Sequence, residues 1–281
     1  MGWPWAPKKC FPFATTFTYI GFLWDLVAKT VSLPDAKCAK YLAKLEQWKA
    51  TFKPTCEEVE SLIGTLNHVA LIVPAGRTHL LHLYRLRASF THARHRWIRH
   101  KITAAALDDV QWWTQTLQNS FVGMPVIRPP LPNDDALYVD ASTDWGIGLL
   151  LNGRWLAWKF HDGWRSEGRD IGWAEMVAVE LALRSLVAIG RHDTHVIIHS
   201  DNQGVVHSVA AGRSRGCQQN AILRHIVHLI QTHKVWVTTT WISTHDNPAD
   251  PISRGTLPVQ GKRLTNRPAI PQHLSPYLSL V

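Results

Sequence analysis

Two apolar runs, Leu137-Tyr-Val-Asp140 and Val196-Ile-Ile-His-Ser-Asp201, each end in an aspartate. Both runs are short and rich in β-branched and aromatic residues, which is typical of strands. They therefore predict two strands, with the carboxylates of Asp140 and Asp201 at the strand ends.

Two further acids extend this pattern into helices. Glu175 opens the helical stretch Trp173-Ala-Glu-Met-Val-Ala-Val-Glu-Leu-Ala-Leu183, and Asp250 lies in Asn247-Pro-Ala-Asp-Pro-Ile-Ser-Arg254, just before a short helix. Acids at two strand ends and on two helices can converge at one edge of a sheet. Such a cluster repels itself unless divalent cations neutralise it, and hard cations such as Mg²⁺ prefer oxygen ligands. This arrangement is typical of a two-metal phosphodiesterase.

Each acid also has an ordinary structural explanation. Asp201 and Asp250 could cap the helices that follow them, and Asp140 could belong to a turn. Glu175 could be a solvent-facing helix residue, although its side of the helix is apolar. Glu180, on a different side, is the better candidate for exposure to solvent. The joint occurrence of all four acids favours one metal site over four separate structural roles.

Four motifs occur in a fixed order: Tyr138-Val-Asp-Ala-Ser142, Glu175 at the start of a helix, His199-Ser-Asp-Asn-Gln203, and Asn247-Pro-Ala-Asp-Pro-Ile-Ser-Arg-Gly255. In this order they resemble the ribonuclease H domain of retroelement reverse transcriptases. The resemblance implies that Asp140, Glu175, Asp201 and Asp250 are catalytic and bind two Mg²⁺ or Mn²⁺ ions. The implied reaction is hydrolysis of the RNA strand of an RNA–DNA hybrid.

The resemblance also implies roles for three more polar residues. His245, five residues before Asp250, could transfer a proton to the leaving group, although it could equally be a surface histidine. Asn202 and Gln203 follow Asp201 where the family contacts the minor groove of the hybrid, and their amides can bond base edges or a 2′-hydroxyl. Their alternative role is that of ordinary residues in the first turn of a helix.

The order of elements predicts a chain of the α+β or α/β class. Three strands, a helix, a strand, two helices and a last strand predict a mixed five-stranded sheet flanked by helices, at about 136–141, 146–152, 154–160, 172–188, 195–200, 202–211, 217–232 and 235–242. This is the ribonuclease H-like domain that the resemblance implies over 136–255. Residues 256–281 contain prolines, are weakly periodic and are predicted to form a tail.

The N-terminal part has a second resemblance. Pro7-Lys-Lys-Cys10, Tyr19-Ile-Gly-Phe22 and Leu62-Ile-Gly-Thr-Leu-Asn67 resemble the thumb and connection region that follows the polymerase site of reverse transcriptases. We therefore expect a small, mostly helical thumb-like region over 1–120 and a proline-rich linker over 121–135. The Tyr-x-Asp-Asp motif that holds the polymerase metals does not occur, so the chain should not polymerise alone. The missing polymerase part is a possible partner.

The net charge of +9 is unevenly distributed. The sequence has no acid between Glu60 and Asp108, and seven Lys and Arg residues fall there, among them Arg94, Arg96 and Arg99. Such a stretch suits a polyanion, because each neutralised phosphate releases condensed counterions. The alternative is a solvated basic face that keeps the protein soluble. We predict that Arg94, Arg96 and Arg99 contact nucleic acid.

Composition argues against several other classes of protein. The sequence has no run of 18 apolar residues and no signal peptide, so neither a membrane span nor secretion is expected. The four cysteines form no CxxC pair, which favours reduced thiols and an intracellular protein of the cytoplasm or nucleus. None of the 16 histidines has a zinc-site spacing with a nearby Cys or an HExxH motif.

Three functional hypotheses follow from these observations. The leading one is a metal-dependent ribonuclease H. The second is a non-catalytic nucleic-acid-binding remnant of a retroelement, which the missing polymerase motif favours and the four intact acids oppose. The third is a DNA-cutting relative such as an integrase, which the Asn247-Pro-Ala-Asp250 ending and the thumb-like region oppose.

Overall fold

The structure is a computed structural model that describes residues 12–91, 97–127, 129–259 and 262–281. Arg94, Arg96 and the Pro7-Lys-Lys-Cys10 motif lie outside the described residues. The chain divides into two compact units. The first unit is Met1–Val73 with Leu86–Ile127, and the second is Pro74–Arg85 with Arg128–Val281.

The first unit combines a small antiparallel sheet with helices. Its strands are in the order β1-β2-β3-β4, with β1 Thr16–Tyr19, β2 Phe22–Asp25, β3 Thr30–Ser32 and β4 Gly123–Pro125. Three of its helices are α1 (Asp35–Glu46), α2 (Cys56–Val69) and α4 (Ala104–Leu117). A capping box begins α2, because the Thr55 hydroxyl accepts from the Glu58 amide and the Glu58 carboxylate accepts from the Thr55 amide.

The second unit contains a mixed six-stranded sheet flanked by helices. Its order is β10-β7-β6-β5-β8-β9, with β5 Asn133–Ala141, β6 Gly146–Leu151, β7 Arg154–Phe160, β8 His195–Ser200, β9 Trp236–Trp241 and β10 Leu278–Leu280. Strand β5 pairs antiparallel with β6 and parallel with β8, which in turn is parallel to β9. The helices are α3 (Leu81–Ala88, which begins in this unit), α5 (Ile171–Ala188), α6 (Gln203–Ala211), α7 (Cys217–His233) and α8 (Asp250–Ser253).

The predicted count of five strands needs correction to six. The additional strand, β10, comes from the segment predicted to be a tail, and it pairs antiparallel with β7. Its three residues are too few to show an alternating pattern, so only tertiary packing identifies them. Leu274 and Leu278 are buried in the core of the unit. The predicted linker also contributes structure, since β4 and the start of β5 lie within 121–135.

Helix α5 is buried on nearly all sides because it packs on the sheet and on α7. Its buried residues include Glu180, whose exposed fraction is 0%. The prediction that Glu180 faces solvent is therefore wrong. The sequence of α5 gave no sign of this, because α7 supplies the cover on that side.

In the part of the chain that the structure describes, no helix combines the length and hydropathy needed to cross a membrane.

Candidate active site

Asp140 is held near the end of β5 by contacts from α8. It pairs across the sheet with Gly148, where an added Cβ would lie 2.6 Å from the Ala249 carbonyl oxygen. The missing side chain at Gly148 therefore lets α8 pack against the strands. The Ser253 hydroxyl donates a hydrogen bond to Asp140 Oδ2, and Asn247 Nδ2 donates to the Val139 carbonyl at 3.0 Å.

Glu175 points into the same site from the first turns of α5. The helix begins after Asp170, whose carboxylate accepts from the Trp173 amide at 2.9 Å and so caps it. The Glu175 side chain is buried, and within the described residues its Oε2 has no hydrogen-bond partner. A buried carboxylate oxygen without a partner is costly unless a ligand satisfies it.

Asp201 follows the last residue of β8. Its Oδ2 accepts from the Thr244 hydroxyl at 2.7 Å, and its main-chain oxygen accepts from Trp241 Nε1 at 2.9 Å. The cap of α6 is Asn202, whose Oδ1 accepts from the Val205 amide at 3.1 Å. The Asp201 carboxylate therefore does not cap α6, and it faces the other acids instead.

Asp140, Glu175 and Asp201 form one cluster, in which one carboxylate oxygen of each lies within 4.8 Å of the others. Burial raises the pKa of Asp140 to about 7, with the charges of Asp201 and Asp250 adding to the effect and the Ser253 hydrogen bond opposing it. Burial, followed by the charges of Asp140 and Asp201, raises the pKa of Glu175 well above its usual range. Within the described residues none of the three carboxylates forms an ion pair. The all-oxygen donor set of the cluster fits hard divalent cations.

Asp250 lies outside this cluster of three. Both of its carboxylate oxygens accept from Arg254, with Nε at 2.9 and 3.0 Å and Nη2 at 2.8 Å. It is the first residue of α8, whose cap position is Ala249 and has no side-chain hydrogen bond, so Asp250 is not a helix cap. Its charge nevertheless contributes to the raised pKa of Asp140.

The remaining predicted site residues lie at the rim. His245 is in a short 3₁₀ turn, Thr244–Asp246, and its side chain is 96% exposed, with Nδ1 3.2 Å from Asp246 Oδ1. Gln203 is exposed at the start of α6. Asn202 has the capping role that was its structural alternative.

Sequence reasoning missed the side chains that position the acids, namely Thr244, Asn247 and Ser253. Asn247 and Ser253 belong to the motif around Asp250, but their contacts to β5 span more than a hundred residues. Only the Asp250–Arg254 pair left a local signal, because opposite charges four residues apart on a helix meet on one face.

The described arginines of the basic stretch between Glu60 and Asp108 differ in whether they pair with an acid. In the first unit, Arg99 Nη1 donates to the Lys53 carbonyl at 2.8 Å and lies 3.3 Å from Glu58, and Arg87 pairs with Glu60 at 2.8 Å. In the second unit, Arg77 lies beside α6 and donates to the Ala211 carbonyl at 3.3 Å.

Arg77 lines a groove of about 870 Å³ along one side of α6. Arg213, Arg215 and His207 also line it. Among the described residues, Arg77, Arg213 and Arg215 form no ion pair with an acid. The groove therefore offers positive charge on the helix that begins just after Asp201.

No protein-family model and no curated protein matches the chain. Among solved structures, it is similar to ribonuclease H1 from the halophilic archaeon Halobacterium salinarum NRC-1, with 15% identity and a TM-score of 0.33 over 44% of this chain and 96% of that one. It is also similar to the foamy viral protease–reverse transcriptase in complex with RNA/DNA hybrid, with 16% identity and a TM-score of 0.35 over 94% of this chain and 33% of that one.

The dRH form of the foamy viral protein, in complex with double-stranded DNA, gives 14% identity and a TM-score of 0.30 over 82% of this chain and 38% of that one. The chain thus spans little more than a third of the length of these two viral chains. Similarity at this level assigns no activity.

Proposed function

We propose that this chain is a metal-dependent ribonuclease H, which hydrolyses the RNA strand of RNA–DNA hybrids. The observation that supports this most directly is the cluster of Asp140 on β5, Glu175 on α5 and Asp201 just after β8, three acids that form no ion pair with a Lys, Arg or His among the described residues. Two Mg²⁺ or Mn²⁺ ions would supply the missing charge.

The bound ions would activate a water for in-line attack and stabilise the leaving oxygen. Asp140, Glu175 and Asp201 would hold the ions, since the charges of Asp201 and Asp250 act on Asp140 and the charge of Asp140 acts on Glu175. Ser253 and Asn247 fix the orientation of the Asp140 carboxylate, and Thr244 fixes that of Asp201. Glu175 offers Oε2, since the Ala141 amide already donates to its carboxylate.

Asp250 is proposed as the fourth ligand, and for this role its side chain must leave Arg254. The Arg254 side chain is 61% exposed, so its guanidinium stays hydrated when the pair opens. His245 follows Thr244, whose hydroxyl donates to Asp201, and its side chain is 96% exposed, so we propose it as the proton donor.

For the substrate, we propose that the groove along α6 binds a phosphate backbone. Its arginines are not neutralised by acids, whereas Arg87 and Arg99 are. The prediction that Arg94, Arg96 and Arg99 contact nucleic acid stays a prediction, because Arg94 and Arg96 lie outside the described residues. The proposal for the groove concerns Arg77, Arg213 and Arg215. Gln203, exposed beside Asp201, is the better of the two amides for a contact to a base edge or a 2′-hydroxyl.

A second candidate is a nucleic-acid-binding protein without catalysis. The observation that favours it is the pairing of Asp250 with Arg254, which fills both oxygens of the fourth acid with a cation of the chain itself. In that case the groove would bind nucleic acid while the acid cluster did no chemistry.

A cleavage assay separates the two candidates. The pure chain is incubated with an RNA–DNA hybrid labelled on each strand in turn, with Mg²⁺, Mn²⁺ or EDTA, and with duplex DNA and duplex RNA as controls. We expect cleavage of the RNA strand of the hybrid only, and none in EDTA. Hybrid binding without cleavage in either metal would support the second candidate.

A further inference from the structure

A second group of metal-binding side chains lies where α5 packs on α7. It consists of Glu180 on α5, His225 on α7 and His273 in the segment that leads to β10. One donor atom of each residue lies within 4.8 Å of the other two. The three come from separate parts of the sequence, so no local spacing of histidines could have indicated them.

Glu180 is the buried centre of this group. Arg184 Nη2 lies 2.7 Å from its Oε1, and His273 Nε2 lies 3.0 Å from its Oε2. The His225 ring stacks on the His273 ring, with centroids 3.6 Å apart and planes 9° from parallel. The His273 side chain is about a quarter exposed, so the group can be reached from solvent.

We propose that Glu180, His225 and His273 form a site for a transition-metal ion of the Zn²⁺ class. Two ligands that bind Zn²⁺ at about 2.0–2.2 Å lie roughly 2.9–3.5 Å apart when the angle between them is about 90–110°. The 3.0 Å separation of Glu180 Oε2 and His273 Nε2 already falls in this range. The ion takes the place of the Nε2 proton, which is released to solvent.

Binding requires one rearrangement, at His225. Parallel stacked rings direct their nitrogen lone pairs alongside each other, so the His225 ring must turn out of the stack to reach the ion. The shift of its nitrogen is at most about 2 Å, because the donor atoms lie no more than 4.8 Å apart and two ligands of one Zn²⁺ ion lie roughly 2.9–3.5 Å apart. Arg184 keeps its bonds to Oε1, which leaves Oε2 for the ion.

This site and the acid cluster should select different metals. Imidazole nitrogens suit Zn²⁺, Ni²⁺ and Cu²⁺, whereas Mg²⁺ prefers a shell of oxygens. The group at Glu180 has two nitrogens and one oxygen, and the cluster at Glu175 has only carboxylates. An ion at Glu180 would also tie the segment around His273 to α5 and α7, so it should act as a structural metal.

The test uses the full chain and titrates Zn²⁺, with Co²⁺ as the spectroscopic probe, in excess Mg²⁺ to saturate the acid cluster. The variants are His225→Gln and His273→Gln, and the matched control is His233→Gln, which alters the last residue of α7 and its ring contact with His192. We expect Zn²⁺ to raise the melting temperature of the parent and of the control. Both site variants should bind Zn²⁺ at least tenfold more weakly and lose that rise.

The Co²⁺ complex of the parent should also show the visible absorption of a low-coordinate nitrogen and oxygen site, a readout that does not depend on how the variants fold. Equal Zn²⁺ affinity in parent and both site variants, or a parent that neither binds Zn²⁺ nor shows the Co²⁺ absorption, overturns the proposal. Hybrid cleavage in Mg²⁺ is not part of this test, so the two proposals can fail separately.

Discussion

Helix α5 carries two buried glutamates whose surroundings differ. Glu175 is 4% exposed and faces two other acids, and its Oε2 has no partner within the described residues. Glu180 is 0% exposed, and Arg184 and His273 bond both of its oxygens. Burial of an acid is therefore not in itself a sign of a catalytic site. What distinguishes Glu175 is a buried carboxylate oxygen without a partner among the described residues, so that its positive partner must come from solution.

The substitution Glu175→Gln should give the largest effect that distinguishes the two regions. It removes one negative charge from the metal-binding cluster while it preserves shape. We expect hybrid cleavage to fall at least about a hundredfold, the scale on which loss of one preorganised electrostatic contact acts. Stability in EDTA should be unchanged or higher, because a neutral amide replaces a carboxylate whose pKa burial raises. Steady-state cleavage and thermal melting measure the two effects. A melting temperature in EDTA well below that of the parent would mean that Glu175 has a structural role.

The matched substitution at the other glutamate is Glu180→Gln, which should lower stability and leave the cleavage rate unchanged. It leaves the Arg184 guanidinium without its buried partner, and breaking a buried pair costs about 3–5 kcal/mol. Arg184 is partly exposed, so we expect a smaller loss, about 2 kcal/mol, in the free energy of unfolding. The cleavage rate of the folded protein should stay near that of the parent. Denaturant unfolding with cleavage measured below the transition tests both parts, and a stable but inactive variant would reverse the roles assigned to the two glutamates.

The groove along α6 should contribute binding and not chemistry. Arg77→Gln combined with Arg213→Gln removes two cations that have no acid partner among the described residues. We expect weaker hybrid binding and a salt dependence shallower by about 0.9 per lost phosphate contact, if the hybrid behaves like a B-form duplex. Arg99→Gln is the control, because Arg99 is paired with Glu58. Binding titrations at several salt concentrations measure the salt dependence of hybrid affinity. An equal salt dependence for the parent and the double variant would mean that the groove is only a solvated surface.

The smallest expected effect is a fall in stability with rising pH, which the acids of the Glu175 region should cause. The raised pKa values of Asp140, about 7, and Glu175 mean that the metal-free fold holds protons which the unfolded chain releases near pH 4. This contribution to stability is fully present below about pH 4 and is lost as the pH rises through the folded pKa values.

In EDTA, the melting temperature should therefore fall between pH 5 and 8, by less in Asp140→Asn than in the parent. Mg²⁺ should raise the melting temperature more at pH 8 than at pH 5. A parent and variant with the same pH profile would contradict the electrostatic description of the cluster.

Local patterns predicted the acids of the proposed metal site and missed the surroundings of Glu180. Strand alternation and helical periodicity placed Asp140, Asp201 and Glu175 at the ends of β5 and β8 and in the first turns of α5, since these patterns are properties of neighbouring residues. The surroundings of Glu180 depend on α7 and on a segment more than ninety residues away. The strand β10 is likewise defined by its pairing with β7 and not by its own three residues.

The central claim is that the Asp201 carboxylate belongs to a catalytic metal site. The most direct test is the cleavage of a labelled RNA–DNA hybrid in Mg²⁺ by Asp201→Asn and by the control Asp144→Asn, which alters an exposed acid in the turn between β5 and β6. Asn202 caps α6 and the main chain of Asp201 accepts from Trp241, so neither contact changes in Asp201→Asn. We predict that Asp201→Asn folds and binds the hybrid but does not cut it, while Asp144→Asn cuts at the parent rate. Cleavage by Asp201→Asn at the parent rate would contradict the metal site.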